Sequence, residues 1–406
     1  MDTAQAKEFV IDAGKRLVKT GLIARTWGNV SCRVSDTHFV ITPSGRAYDT
    51  LTSEEIVLVK IDDLSYEGDI KPSSEKGIHA ACYRLRKDVG FVIHTHQVYA
   101  SVISALKTDI NRIPDFAREI IGTDIPCAQY GLPGTGKLKK GVINALTRSD
   151  SNAVIMAHHG ALCLGADLEE SFAVAKTLES VCESFLADRC LQLTGKICDG
   201  FGSAREYISD VFTQGEGYKK APPLTAAKSK RTGDLISLEG FGNETAVLDI
   251  KSGALIGGRD VPDTADLHLS IYKRRKDINN IIHSQNEDIV VASQSGKKLL
   301  PLLDDFAQLI GPSLKCAVFD PNKTLKSSKK IVKRLKGRNA VLLKDNGAIC
   351  CAASESDALA VEMVVDKGCK TFIGANLYGK VKPINPVETR LMRFIYNKKY
   401  SKQAEK

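Results

Sequence analysis

Apolar residues recur along this chain at two alternating periods. Met1–Gly21, MDTAQAKEFVIDAGKRLVKTG, spaces apolar and charged residues as an amphipathic helix does. The short alternating runs and turn signals that follow predict antiparallel hairpins. A helical stripe, IHAACYRL (Ile78–Leu85), precedes an apolar strand, GFVIHTH (Gly90–His96). A second apolar strand, AVIMAHHG (Ala153–Gly160), ends in a glycine turn and leads into a long helix. The same order returns later: LHLSIYKR (Leu267–Arg274), NIIHSQ (Asn280–Gln285) and AVLLKDNG (Ala340–Gly347). Strands mixed with helices in this way predict an α/β sandwich with a substantial antiparallel component.

The recurrence extends to identities. Glu75–Gln97 aligns with Thr264–Asn286, matching His79 to His268, Tyr83 to Tyr272 and His94 to His283; the tripeptide RKD recurs. Asn152–Glu179 aligns with Asn339–Asp366 at nearly the same offset. Two tandem copies of one domain are therefore expected. The boundaries are 1–212 for the first, 213–234 for a Gly-, Pro- and Lys-rich linker, 235–390 for the second and 391–406 for a basic tail.

In a strand, residues two apart share a face, so His94 and His96 point the same way and Thr95 points away. Two adjacent imidazoles suit a metal. His158 and His159 end the second strand, and Glu75 opens a helix after KPSS. In the second copy Glu75 becomes Thr264, His96 becomes Gln285, His158 becomes Asp345 and His159 becomes Asn346. Glu75, His96 and His159 change together, as a functional set does, whereas His79 persists as His268 and is expected to be a packing residue. Three imidazoles and a carboxylate fit Zn2+, with Mn2+, Fe2+ or Co2+ able to use the same donors. The second copy is not expected to bind the metal.

Three stretches suit an anion: WGNVS (Trp27–Ser31), ITPSGRAYD (Ile41–Asp49) and KPSSEKG (Lys71–Gly77). Hydroxyls and backbone N–H groups at a helix start favour phosphate, and PSSE puts that cradle beside Glu75. Ser73 and Ser74 become Pro262 and Asp263 in the second copy, where a carboxylate repels phosphate. GLPGTGKL (Gly131–Leu138) has P-loop spacing, but Leu138 replaces the metal-binding hydroxyl. It is expected as a turn leading into the helix KLKKGVINAL.

The 406 residues carry a formal charge of +9, partly through Asn322–Ala340, which holds no acid. Leu325, Ile331, Val332 and Leu335 fit an amphipathic helix there with a solvated basic face, so a nucleic-acid partner is not expected. No apolar run is long enough to span a membrane, and Met1–Gly21 lacks a signal-peptide core. The eleven cysteines include no CxxC pair. Free buried thiols and a cytoplasmic location are expected.

In this order, GNVS, ITPSG, KPSSE, VIHTH and AHHGAL resemble the class II aldolase/adducin family, in its fuculose-phosphate aldolase pattern. The likeness covers roughly residues 1–210, and 235–390 resemble a degenerate second copy. It implies a three-layer sandwich with a central, mainly antiparallel sheet and helices on both faces. It implies His94, His96 and His159 as metal ligands, and Glu75 as acid/base and additional ligand. It also implies Asn29, Ser44, Gly45, Ser73 and Ser74 as holders of the substrate phosphate. The activity implied is cleavage or formation of a C–C bond in a small ketose phosphate through a metal-stabilised enediolate. Related 4-epimerases carry Asp where this chain has Glu75, which favours an aldolase, dehydratase or decarboxylase. The alternatives are one of those enzymes on the same scaffold, or an adducin-like assembly protein without the ligand set. Family aldolases draw a tyrosine proton donor from the segment matching RIPDFAREIIG, where this chain has Asp115 and Phe116. Family enzymes form four-fold rings, so a homo-oligomer is expected in which the degenerate half supplies interface surface.

Overall fold

The computed structural model describes residues 1–23, 27–198, 200–240, 245–379 and 381–399. They form two compact units, one built on Met1–Gln192 and one on Leu193–Asn397. The first contains α1 (Thr3–Lys19), β1 (Asn29–Arg33), β2 (His38–Ile41), β3 (Val57–Lys60), α2 (Lys76–Leu85), β4 (Phe91–Thr95) and α3 (Val98–Leu106). It continues through α4 (Asp115–Ile121), β5 (Cys127–Ala128), α5 (Gly136–Thr147), β6 (Ala153–Met156), β7 (Gly160–Gly165) and α6 (Leu168–Thr194).

Its seven strands form one sheet in the order β3-β2-β1-β4-β7-β6-β5. Every pairing is antiparallel except β5 with β6. Alternation along the strands assigns the two faces. Val92, Val154, Leu162 and Leu164 pack with Ile78, Cys82 and Tyr83 of α2 and Leu138, Val142 and Ala145 of α5. Helices α1 and α3 pack against β1–β2 and β6–β7. The Cys32 thiol, one residue out of phase with Ser31, reaches Met1 beside α1. The expected three-layer sandwich is therefore present, and α5 begins where the P-loop-like stretch was expected to turn, with Thr135 capping Leu138 N–H.

The second unit contains α7 (Gly200–Thr213), β8 (Lys228–Thr232), β9 (Leu235–Glu239), β10 (Thr245–Asp249), β11 (Leu255–Gly257), α8 (Ala265–Arg274), β12 (Asn280–Ser284) and α9 (Glu287–Gln294). It continues through α10 (Asp304–Leu309), β13 (Cys316–Ala317), α11 (Thr324–Leu335), β14 (Ala340–Leu343), β15 (Ala348–Ala352), α12 (Glu355–Asn376) and α13 (Pro386–Lys399). Its sheet runs β11-β10-β9-β8-β12-β15-β14-β13. This is the order of the first sheet with one extra edge strand, β11.

The chain divides at 192/193 rather than at 212. Helix α7 belongs to the second unit because Phe201, Ala204 and Ile208 bury against α9 and α12. The segment expected as a linker, 213–234, contains β8, which pairs with both β9 and β12. KSKRT carries no large apolar residue, so its pattern gave no strand signal, although Ser229 is buried. Part of the expected basic tail is α13. Pro386 starts that helix, as its fixed φ favours, and Arg393 anchors it by donating to the carbonyls of Gln308 and Leu309 and to Asn339 Oδ1. Helix α11 carries the basic stretch with Ile331 and Leu335 buried and its lysines outward. No described helix is long and apolar enough to cross a membrane. All eleven cysteines are free thiols.

Candidate metal centre

Strand β4 delivers His94 and His96 to the α2 face of the first sheet, as their spacing predicts. Asn29 on β1 lies directly across from His94 in the antiparallel register. The turn between β6 and β7 delivers His159. His158 in that turn has φ of 60°, a left-handed conformation that histidine tolerates better than most residues. Its ring turns away from the other three and meets Tyr130 edge-on at 5.2 Å. Gly160 follows because a Cβ there would stand 2.2 Å from the Thr95 carbonyl oxygen. Gly28 has φ of 112°, and a Cβ there would stand 2.6 Å from the His94 carbonyl oxygen. Both glycines let backbone close in on the strand that carries the histidines.

The residue after His96 is clamped. Gln97 accepts from Thr95 Oγ1 at 2.9 Å and donates to the Ala175 carbonyl at 3.0 Å. The Glu179 carboxylate accepts from the N–H groups of Tyr99 and Ala100 at 2.7 and 3.1 Å, satisfying the start of α3.

The donor atoms of His94, His96 and His159 all lie within 4.8 Å of one another. The His94 and His159 rings stack 4.8 Å apart, and His96 meets both edge-on. Glu75 closes the group: its Oε1 is 3.0 Å from His159 Nε2 and its Oε2 3.4 Å from His94 Nε2. His94 Nε2 is 3.0 Å from His96 Nε2. Donors bonded at about 2.1 Å to a tetrahedral Zn2+ stand roughly 3.4 Å apart, so these separations fit one shared ion.

Electrostatics favour the same conclusion. His94 Nδ1 is 2.9 Å from the Ala161 carbonyl oxygen, an acceptor, so Nδ1 carries the proton. Burial drives the His94 pKa well below its usual value, the neighbouring Glu75 opposing and His96 and His159 assisting. The ring is therefore neutral and its Nε2 bare. Burial alone would raise the Glu75 carboxyl pKa; the adjoining His159 and the hydrogen bond from the Asn29 amide outweigh it and hold it well below the carboxylate range. A bare imidazole nitrogen thus faces an ionised oxygen, two lone pairs converging where a cation belongs. The donor set fits a divalent metal. His96, at 8% exposure against 1% for His94 and 3% for His159, is the most open of the three.

The phosphate candidates lie on two joined loops. Ser44 N–H donates to the Lys71 carbonyl and Ser73 N–H to the Thr42 carbonyl, at 2.9 and 3.0 Å. Thr42 in turn bonds β1 at Val30. Ser73 is buried, with its hydroxyl accepting from Glu75 N–H at 3.2 Å. Ser74 is exposed, and Gly45 has φ of 75°. The loops holding Ser44, Gly45, Ser73 and Ser74 therefore join beside Glu75 and β1. Asn29 differs: its amide is buried and turned to Glu75, donating from Nδ2 to Oε2 at 2.9 Å, while Oδ1 meets His79 Nε2. Asp115 and Phe116 sit exposed on α4.

His79 packs as expected and also bonds. Its Nδ1 is 2.6 Å from Ser31 Oγ, which is 2.6 Å from Tyr83 Oη. The second unit repeats this with Ser229, His268 and Tyr272 at 2.7 and 2.9 Å. The recurring Ser-x-Arg of VSCR and KSKR was the available sequence signal. In both units an arginine, Arg33 or Arg231, lies over the tyrosine ring at 4.8 Å.

Burial, aided by His283, lowers the His268 pKa to about 3. Below the unfolded value near 6.5 the unfolded chain binds a proton that the fold refuses, so stability falls as pH drops from about 6.5 toward 3, by up to about 1.4 kcal/mol per pH unit. His268→Gln is expected to lose less of its melting temperature between pH 7 and pH 5 than the unaltered chain. An identical loss contradicts this.

The second unit uses the matching positions to hold its own backbone. Asp345, with φ of 63° like His158, accepts from the Tyr218 hydroxyl and from Ala221 N–H. Asn346 accepts from Leu224 N–H at 2.8 Å and donates to the Pro222 carbonyl at 2.9 Å. Gln285 donates to the Leu224 carbonyl at 3.0 Å. Segment Tyr218–Leu224 is thereby fastened to the residues that replace His158, His159 and His96. Thr264, in place of Glu75, is fully buried.

The chain matches the profile of the Class II Aldolase and Adducin N-terminal domain twice, over residues 8–186 and 242–373. It is 34% identical to L-fuculose phosphate aldolase of Escherichia coli strain K12 over 186 residues, 46% of this chain and 85% of that protein. It is 31% identical to 5-deoxy-D-ribulose 1-phosphate aldolase of Bacillus thuringiensis serovar kurstaki over 174 residues, 43% of this chain and 80% of that protein. A solved L-fuculose 1-phosphate aldolase overlaps with a TM-score of 0.44 at 29% identity, covering 48% of this chain and 91% of that one. With both units matched and more than half its length covered, this chain belongs to the class II aldolase/adducin family.

Proposed function

We propose that the chain is a metal-dependent aldolase that cleaves or forms a C–C bond in a small ketose phosphate. The observation that supports this most is the convergence of His94, His96, His159 and Glu75 in the first unit. The named relatives, aldolases of small phosphorylated ketoses, support the substrate class.

When bound, a divalent cation supplies Lewis acidity toward a carbonyl oxygen and offsets negative charge developing beside it. The three imidazoles hold that cation, with His94 fixed in its tautomer by the Ala161 carbonyl. Glu75, an ionised carboxylate in a buried site, carries the proton to and from the reacting carbon. Ser44, Gly45, Ser73 and Ser74, on two loops hydrogen-bonded to each other, grip the phosphate and place the reacting bond. The Asn29 amide contributes from the side of Glu75.

Turnover on a panel of ketose 1-phosphates, with L-fuculose and 5-deoxyribulose 1-phosphates included, tests the proposal. Release of dihydroxyacetone phosphate and an aldehyde is expected. An epimerised or dehydrated product without that triose contradicts it in favour of another reaction on the scaffold. Inactivity together with a metal-free first unit contradicts it in favour of an assembly role.

A further inference from the structure

We propose that Asn29 is a positioning residue for Glu75, its amide locked in one orientation by a buried hydrogen-bond chain that runs Tyr83–Ser31–His79–Asn29. The inference deepens the metal-site reading and rests on it.

The chain has a direction. Asn29 Oδ1 is an acceptor, so His79 Nε2, its partner, carries the proton. The His79 ring is fully buried and neutral, burial lowering its pKa to about 4 against the opposing pull of Glu75. Its Nδ1 must therefore accept, and the Ser31 hydroxyl, 2.6 Å away, donates to it. Ser31 Oγ then accepts from the Tyr83 hydroxyl at 2.6 Å. With Oδ1 committed to His79, only the Asn29 NH2 group faces Glu75, and it donates to Oε2 at 2.9 Å. A flipped amide would set a carbonyl oxygen against a carboxylate and face an N–H with an N–H, two buried mismatches. Among the described residues, Asn29 is the donor to this carboxylate that is not one of the three clustered histidines. Fixing Oε2 leaves Oε1 beside His159.

The second unit separates the part of this chain that serves the fold from the part that serves the site. Ser229, His268 and Tyr272 reproduce Ser31, His79 and Tyr83. The register of β8 against β12 puts Ala227 where the first unit has Asn29. Among the described residues, His268 Nε2 consequently has no hydrogen-bond partner. Thr264 stands where Glu75 would be. The serine, histidine and tyrosine thus persist where the site is gone, and the asparagine vanishes with the carboxylate it contacts. A residue kept for packing would follow the first pattern, and Asn29 follows the second.

The test reads Zn2+ affinity of the full chain by competition with a chelator, which requires no turnover. Asn29→Ala is expected to weaken Zn2+ binding by about tenfold, the lower end for losing a group that orients a ligand. In a Glu75→Ala background the same substitution is expected to have no further effect. His79→Phe is expected to weaken Zn2+ several-fold, whereas His268→Phe lowers the melting temperature and leaves Zn2+ affinity unchanged. With a turned-over ketose phosphate, Asn29→Ala is expected to lower kcat and leave KM nearly constant; a side chain that only touched phosphate would raise KM instead. Unaltered Zn2+ affinity in Asn29→Ala, or an equal loss with and without Glu75, overturns the proposal. Absence of turnover with the Zn2+ pattern intact overturns the aldolase reading and leaves this one standing.

Discussion

His96→Ala is expected to strip the chain of tightly held divalent metal, from about one equivalent per chain to less than roughly a tenth after dialysis against a weak chelator. The reason is geometric. Removing His96 leaves two stacked imidazoles and a carboxylate, and the surviving His94 Nε2 then faces the Glu75 oxygen at 3.4 Å without the third nitrogen. His283→Ala, at the position in the second unit that matches His94, is expected to leave metal content unchanged. The His283 ring spends its Nε2 on the Asn346 carbonyl oxygen at 2.6 Å, and the surrounding positions are occupied by Tyr218–Leu224. Metal analysis of the two purified variants, each normalised to folded protein, checks the pair. Equal loss from both, or loss from neither, contradicts the assignment of the metal to the first unit.

Glu75→Gln is expected to lower kcat by about a hundred- to ten-thousand-fold, the range for removing a general acid/base. The substitution keeps the side-chain length and an oxygen able to accept from Asn29 Nδ2, so the pocket retains its shape. The three imidazoles remain, so metal content is expected to persist with weaker affinity. Steady-state kinetics beside metal analysis separate the two effects. Activity within about tenfold of the unaltered chain contradicts the role of Glu75 in moving the proton.

Much of the site was legible because its residues obey local periods. His94 and His96 share a face by strand alternation. The repeat marked His158 and His159 together, replaced by Asp345 and Asn346, and the family resemblance picked out His159 of the two; Glu75 stood out by its place at the start of α2. Alternation predicted a substantial antiparallel component, the family resemblance implied the mainly antiparallel sheet, and the repeat set β4 against β12 and β6 against β14; strands β7 and β15, which lie between the glycine turns and the long helices, were not foreseen.

What escaped the sequence depends on contacts distant along the chain. Asn29 sits in a short GN turn motif that suits an anion, yet its amide is committed to Glu75 and His79 by the register of β1 against β4, which local pattern does not encode. Strand β8 was hidden because KSKRT has no apolar alternation; its place is set by pairing on both sides. Segment Tyr218–Leu224 reads as a linker by composition, but Asp345 and Asn346 hold it, and they are more than a hundred residues away. Contacts 54 to 85 residues away likewise explain α13, whose charged residues suggested a tail and whose Arg393 docks on Gln308, Leu309 and Asn339.

Anomalous diffraction from crystals of the Zn2+-loaded chain, collected on both sides of the zinc edge, examines the core of the account directly. One peak is predicted per chain, within about 2.1 Å of the Nε2 atoms of His94, His96 and His159. A peak elsewhere, or a second one of equal height among His283, Asp345 and Asn346, would contradict it.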